Sequence, residues 1–276
     1  MKMINSIFTH GSLIILLLLF HSISIKAQEV DDEREFDYLE GSELGPEKWG
    51  ELRPEWGTCK RGKMQSPIDI SNPVQVTSKE LLQTKYKAQN AIINNRGHDI
   101  MVRWEGDAGS ILINEREFDL LQAHWHAPSE HAINGTRYAM ELHMLHRSTD
   151  PKLTPTMVVV AVFYEIGDVD PFLSRLGPIM SSLIDQTNEH KQAGVINPME
   201  IQLDDECYYK YIGSLTTPSC TEGVTWIINK RINTVSSDQV KLLREAVHDH
   251  AKNNARPLQA LNHREVQLHC HKDRKD

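Results

Sequence analysis

Residues 122–146 read QAHWHAPSEHAINGTRYAMELHMLH and hold five histidines within 23 positions: His124, His126, His131, His143 and His146. Neutral imidazole is the commonest metal ligand in proteins, so the spacing decides what this cluster can do. Side chains alternate faces along a strand, so Gln122, His124 and His126 share one face while Trp125 points to the other. Two strand residues span about 6.5 Å, a distance over which two imidazoles can close on one ion. In MELHML the same rule puts Glu141, His143 and Leu145 on one face. Pro128 and Asn134-Gly135 between the two segments favour a turn or excursion. If the strands pair antiparallel, His143 meets His124 and His126 across the ladder. Three neutral imidazoles with an open fourth position make a catalytic zinc site rather than a closed structural one. Each ligating histidine needs its other ring nitrogen held by an acceptor, and Gln122 and Glu141 lie two residues from a ligand on the right face. A His-x-His pair alone is common without any metal; the third histidine and the flanking acceptors separate this case from that one. His146 falls on the opposite face and reads as structural. His131 reads as a buried hydrogen-bonding residue and Trp125 as core.

The elements that must carry these residues are short. AIINN, DIMVRW, SILIN, LLQAHWH, MELHML, MVVVAVFY, CYYKYIGS and VTWIIN are apolar or alternating, and they are bounded as strands are. DPFLSRLGPIMSSLI and SSDQVKLLREAVHDH read as helices, the second with a cap in Ser236–Ser237–Asp238. From Phe36 to Pro67 the chain is punctuated by Gly, Pro and Trp, which suggests irregular structure laid on a core. No internal repeat and no Pro- or Ser-rich linker appears. The expectation is one mainly β domain over residues 36–270 with peripheral helices.

The 276 residues are 39% hydrophobic, enough for one large domain with a substantial core. A formal net charge of -8 and the absence of a long basic block argue against a nucleic-acid partner. Lys2 and the apolar run SLIILLLLF precede Ala27, which reads as a secretory signal peptide over 1–27, although Ile25 is bulky for its place in a cleavage site. The run is too short to span a bilayer, and no later stretch is longer, so no transmembrane segment is expected in the mature chain. Residues 28–35 read as loose, and 271–276 as a solvated tail. In an oxidising compartment Cys59, Cys207, Cys220 and Cys270 can pair, with three connectivities open for two bridges. None lies in a CxxC pair. Asn134-Gly-Thr is an N-glycosylation sequon.

QSPIDI (65–70), NNRGHDI (94–100), QAHWHAPSEH (122–131), AMELHMLH (139–146), GSLTTPSCTEGVTW (213–226) and NNARP (253–257) together resemble the alpha-class carbonic anhydrases, especially the plant members. The resemblance covers about residues 36–270. It implies a large, mostly antiparallel twisted sheet of about ten strands with helices on its surface. It implies one zinc per chain on His124, His126 and His143, and reversible hydration of carbon dioxide to bicarbonate and a proton by zinc-bound hydroxide. Zinc acidifies its water enough to give hydroxide at neutral pH, an effect for which carbonic anhydrases are themselves the standard case. Glu130 and Thr216 resemble the pair that orients the nucleophile: a hydroxyl donating its one proton to a buried carboxylate keeps a lone pair to accept with. Thr217 is expected to contact substrate. Leu145, Val159, Leu215, Val224 and Trp226 resemble the apolar wall where carbon dioxide rests. His98 resembles the proton shuttle, a task that suits histidine's ordinary pKa. Tyr38, Asn94 and Asn254 fall near pocket or ligand-supporting positions, and Arg96 leaves both Asn94 and Asn95 as candidates for one of them. The resemblance also pairs Cys59 with Cys220 and leaves Cys207 and Cys270 unassigned.

Other readings remain open at this level. They are a metal-free binding relative, which such families reach by losing a ligand, and a storage role. A hydrolytic zinc enzyme is weaker, since no HExxH is present. The expected protein is a monomer acting on a small molecule; the signal peptide directs it to the secretory pathway or outside the cell, and the resemblance adds the plastid as the alternative compartment.

Overall fold

The structure, a computed structural model, describes residues 35–76, 82–150, 152, 154–186, 189–203 and 207–270. The expected signal peptide, most of the loose segment after it and the tail 271–276 lie outside the described residues.

Fourteen strands are present among the described residues: β1 Asp69–Ile70, β2 Val74–Val76, β3 Gln83–Tyr86, β4 Gln89–Asn95, β5 Ile100–Trp104, β6 Gly109–Ile113, β7 Arg116–His126, β8 Ala132–Ile133, β9 Met140–Ser148, β10 Met157–Ile166, β11 His190–Ile196, β12 Cys207–Ser214, β13 Glu222–Val235 and β14 Gln267–Cys270. Twelve build one sheet, whose main path runs β11-β4-β5-β7-β9-β10-β13-β12-β14-β2, with β6 joining β3 to β7; β1 and β8 form a separate pair. Most neighbours are antiparallel, while β10–β13 and β14–β2 run parallel. The sheet is therefore larger than the expected ten or so strands. All eight segments read as strands from their patterning are strands. Those that patterning does not reveal include β2, β11 and β14, short or largely polar strands at or next to the sheet's edges that bury too little side chain to alternate clearly.

The two longer helices pack against one face of the sheet. Two short ones, α1 (Trp49–Leu52) and α2 (Thr58–Arg61), lie in the Gly- and Trp-rich entry segment. The longer α3 (Pro171–Ser181) is capped by Asp170, whose side chain accepts from Leu173 N. The helix α4 (Ser237–Ala246) begins with a capping box of Ser236 and Gln239, two reciprocal bonds that satisfy otherwise orphaned backbone donors. Phe172, Leu173, Leu176, Met180, Val240, Leu243 and Ala246 pack with Ala123, Trp125, Leu142 and Met144 in one apolar cluster. Leu145, Val159, Leu215, Val224 and Trp226 belong to a second cluster. Alternation along β7 and β9 divides their side chains between the two clusters: Trp125 packs with Phe172, and His124, His126 and His143 face the other way.

His146 sits where its parity places it, buried, with the Tyr86 hydroxyl 2.8 Å from its Nε2. Burial lowers its pKa to about 3, against an ordinary value near 6.5. The folded ring thus stays neutral through the range where the unfolded chain takes up a proton. The stabilising difference is complete above about pH 6.5 and is lost as pH falls towards 3. Wild type should lose on the order of 2 kcal/mol through this one residue between pH 7 and pH 4.5. In urea unfolding at the two pH values, His146→Gln should show a smaller loss than wild type. Equal losses would remove His146 as a source of acid sensitivity.

Candidate metal centre

The antiparallel pairing of β7 and β9 sets His124 directly opposite His143, and His126 opposite Glu141. Ring centroids lie 5.0 Å apart for His124–His126, 5.2 Å for His124–His143 and 4.6 Å for His126–His143. One nitrogen from each ring falls within 4.8 Å of the others, a group that could hold a metal ion. All three residues are buried.

The other nitrogen of each ring is engaged. His124 Nδ1 lies 2.9 Å from Gln122 Oε1, His126 Nδ1 lies 2.7 Å from the Asn254 carbonyl, and His143 Nε2 lies 2.8 Å from Glu141 Oε1. All three partners are acceptors, so each engaged nitrogen carries the proton. The opposite nitrogen of each ring then has a lone pair: Nε2 of His124 and His126, and Nδ1 of His143. Burial pushes the pKa of His124 well down and lowers that of His143, which favours the neutral form a ligand needs. Burial pushes the Glu141 carboxyl up, but His131 and His143 beside it outweigh that and hold it well below the usual range.

The donor set fits a zinc ion. His126 Nε2 is buried with no hydrogen-bond partner, a state that costs about 1–3 kcal/mol for an uncompensated polar atom. It points where the neighbouring rings converge, and a cation there would use its lone pair. Neutral imidazoles from two paired strands also match the ligand type and number of catalytic zinc sites.

Glu130 lies beside this group. Its Oε2 is 3.6 Å from His126 Nε2 and 4.0 Å from His143 Nδ1, and has no hydrogen-bond partner. Its Oε1 accepts from the backbone N of Arg256 at 2.8 Å. The hydrogen bond expected from Thr216 to Glu130 is not formed in this arrangement: Oε1 accepts from Arg256 N, and Oε2 is left without a partner. Thr216 and Thr217 are both buried at the connection between β12 and β13, and Thr217 Oγ1 has no partner.

Asn254 supports the site through more than one group. Its carbonyl holds His126, its Oδ1 accepts from Ala127 N, and its Nδ2 donates to the carbonyls of His98 and Trp125. It thus ties the end of β7 to the turn that carries His98. Of the two candidate asparagines before that turn, Asn95 is the one that shapes it: its Oδ1 accepts from Gly97 N, and its Nδ2 donates to the carbonyls of Leu183 and Ala246. Arg96 closes the turn by pairing with Asp99. His98 is 1% exposed, its ring centroid 5.1 Å from that of Phe36 and its Nε2 3.7 Å from Asp99 Oδ2. That placement runs against a ring that hands protons to buffer, because the ring shown is closed off from water. Tyr38 packs nearby, 5.8 Å from Phe36 and 5.5 Å from Trp49 between ring centroids.

Cys59 is joined to Cys220, with Cα atoms 5.0 Å apart. Cys207 is joined to Cys270, cross-strand neighbours on β12 and β14. Nothing in the spacing of those two cysteines signals this second bridge; it follows from strand pairing between segments 63 residues apart. Asn134 is exposed at a tight turn with φ 49°, where Ile133 and Thr136 bridge.

The family model described as eukaryotic-type carbonic anhydrase matches residues 44–270. The chain belongs to this family. Alpha carbonic anhydrase 7 of Arabidopsis thaliana is 49% identical over 243 residues, 87% of this chain and 87% of that protein. Among solved structures, dioscorin complexed with ascorbate superposes with a TM-score of 0.83 at 41% identity, covering 87% of this chain and 99% of that one. The alpha-carbonic anhydrase from Thermovibrio ammonificans in complex with the inhibitor sulfanilamide superposes with a TM-score of 0.74 at 34% identity, covering 84% of this chain and 98% of that one. Membership of the carbonic anhydrase family supports carbon dioxide hydration and a small-molecule substrate. The two disulfides suit an oxidising compartment. Among the described residues no helix is long and apolar enough to cross a membrane.

Proposed function

We propose that this protein is a zinc-dependent carbonic anhydrase that interconverts carbon dioxide and bicarbonate, with His124, His126 and His143 as the zinc ligands. The observation that carries this reading is the convergence of three buried ring nitrogens whose opposite nitrogens all donate to acceptors. A zinc ion held there supplies Lewis acidity, which makes water a competent nucleophile near neutral pH. The protein's own residues bind, orient and shield. Leu145, Val159, Leu215, Val224 and Trp226 form an apolar wall against which a small neutral molecule can rest. Thr217 Oγ1, buried without a partner, is available to contact substrate. Glu130 and Thr216 orient the attacking oxygen once the Thr216 hydroxyl turns to donate to Glu130 Oε2, the carboxylate oxygen without a partner. The chain acts as a monomer in the secretory pathway or outside the cell, with the plastid as the alternative compartment, and Asn134 is its glycosylation site.

A hydration assay on purified protein, with and without a zinc chelator, tests the function. About one zinc per chain is expected after dialysis, with activity lost on chelation and restored by added zinc. A chain that retains no zinc, or one whose activity survives its removal, would overturn the reading. Glu141→Ala should weaken zinc binding by about 10–100-fold, as loss of a ligand's hydrogen-bond partner commonly does. A chelator competition titration checks this, and unchanged affinity would remove Glu141 from the site's support.

His98 serves as the proton relay only if its ring turns outward past Phe36. An acid with a pKa near 7 that must release its proton directly to water is limited to about 10³ per second. His98→Ala should therefore slow turnover in dilute buffer, keep zinc, and leave kcat/KM for hydration nearly intact. Imidazole buffer should restore part of the rate. A variant that turns over as fast as wild type in dilute buffer at saturating carbon dioxide would show that His98 is not the relay.

A further inference from the structure

The entry segment, the connection between β7 and β9, and the segment 253–257 line an open cleft of about 610 Å³, a volume in the range of sites that hold small molecules. None of the three ligand histidines lines it. Four charged side chains do. Arg137, on the approach to β9, and Arg244, in the last turn of α4, are half-buried. Glu40 and Glu47, from the entry segment, are exposed. Among the described residues no ion pair joins either arginine to a carboxylate. Arg137 donates to the Arg256 carbonyl at 2.9 Å, which fixes its guanidinium and leaves the rest of its donors unused. Arg244 Nε is buried without a hydrogen-bond partner. A guanidinium that has given up part of its water without gaining an acceptor carries an unmet cost, which an anion can relieve. The rings of Tyr38, Pro46, Pro128 and Pro257 give the same cleft apolar surface.

We propose that this cleft is a second ligand site, separate from the metal centre, for a small monocarboxylate with an apolar body. Arg137 and Arg244 hold the carboxylate, whose two oxygens match the fork of N–H donors that a guanidinium presents. The proline and tyrosine rings cover the apolar body, as is usual in small-molecule sites that place a few polar groups in an apolar lining. The remaining charges limit the ligand further. Glu40 and Glu47 repel a second negative charge, which disfavours dicarboxylates and phosphate dianions. They are exposed and keep their water, so an ammonium on the ligand gains little from them. The half-buried arginines therefore decide the class. The site needs no metal and stands whether or not the zinc reading does. Asn253 and Ala255, which also line it, flank the Asn254 whose carbonyl holds His126.

Calorimetric titration with phenylacetate tests this, beside phenylacetamide, which keeps the shape and drops the charge. The full chain should bind phenylacetate saturably at millimolar concentration or below, and the amide about tenfold or more weakly, the worth of a charged hydrogen bond. Phenylsuccinate, with a second carboxylate, should bind more weakly than phenylacetate, and phenylalanine, with an added ammonium, no more tightly. Arg137→Gln and Arg244→Gln should each weaken phenylacetate by about tenfold or more, with urea midpoints near wild type. The Nε–H resonance of Arg244 in the wild type should shift during the titration, which reads the contact without any substitution. Protein stripped of metal should bind phenylacetate as tightly as untreated protein, since a carboxylate resting on the metal would leave with it. Binding abolished by metal removal, an amide that binds as well as the acid, or an Arg244 resonance that stays in place as the acid binds would each overturn the proposal. So would the absence of saturable binding, or glutamine variants that bind like wild type. Tighter binding of phenylalanine or phenylsuccinate would overturn the ligand class.

Discussion

His143→Ala is expected to give a folded protein that loses its zinc on dialysis and its hydration activity with it. The binding free energy of structural zinc sites, about 10–16 kcal/mol over four ligands, averages about 2.5–4 kcal/mol per ligand. Losing one ligand should therefore weaken zinc on the order of a hundred-fold. The substitution does more than remove a lone pair. His143 donates to Glu141 and packs 4.8 Å from Trp226 between ring centroids. Alanine leaves a buried carboxylate with one donor fewer, and a cavity against the indole. Zinc content after dialysis and a chelator competition titration decide the matter, with circular dichroism to confirm the fold. An alanine variant that binds zinc as tightly as wild type would exclude His143 as a ligand. The effect should exceed that of Glu141→Ala, because a ligand is worth more than the group that orients it.

Joint replacement of Cys59 and Cys220 by alanine is expected to give the largest loss of stability. The bridge spans 161 residues, and constraint of an unfolded loop that long is worth about 5 kcal/mol in the chain-entropy model. For a domain of this size that corresponds to a fall in Tm of about 10–20 °C. The local surroundings add to the effect. Both cysteines pack with Phe36, Trp49 and Trp56 in a small apolar cluster of their own, and Cys220 N donates to the Thr217 carbonyl. The bridge therefore anchors the entry segment to the connection that carries Thr216 and Thr217, and substrate-site order should suffer along with global stability. The second bridge spans 63 residues and is worth about 4 kcal/mol by the same argument, but it staples β14 near the sheet's edge, where its loss frays fewer contacts. Thermal unfolding of the two double variants tests the ranking. A Cys59/Cys220 variant that melts within 3 °C of wild type would show that the cluster, not the covalent link, holds the entry segment.

The sequence by itself determined what consecutive residues encode. Alternation along LLQAHWH and MELHML puts three histidines on one face and Trp125 and His146 on the other, and the pairing of β7 with β9 bears this out. The acceptors Gln122 and Glu141 were legible for the same reason: a spacing of two on a strand is a spacing in space. Ser236–Ser237–Asp238 announced the start of α4 because capping is local, and Ser236 is the N-cap. The resemblance to a known family added the Cys59–Cys220 pair, which no local pattern specifies. Only the tertiary structure decided the rest. The acceptor for His126 is a backbone carbonyl 128 residues away, and a carbonyl leaves no mark in residue type. Glu130 Oε1 accepts from the backbone of Arg256, 126 residues away, a donor that residue type does not reveal. Phe36 covers His98 across more than 60 positions of chain, so a residue that reads as a solvent-facing relay is buried. The strands β2, β11 and β14 are held by their neighbours rather than by their own patterning, and the Cys207–Cys270 bridge exists only because β12 and β14 pair. Side-chain periodicity is written in the chain one residue after another, whereas these contacts arise only when the shared core brings remote segments together.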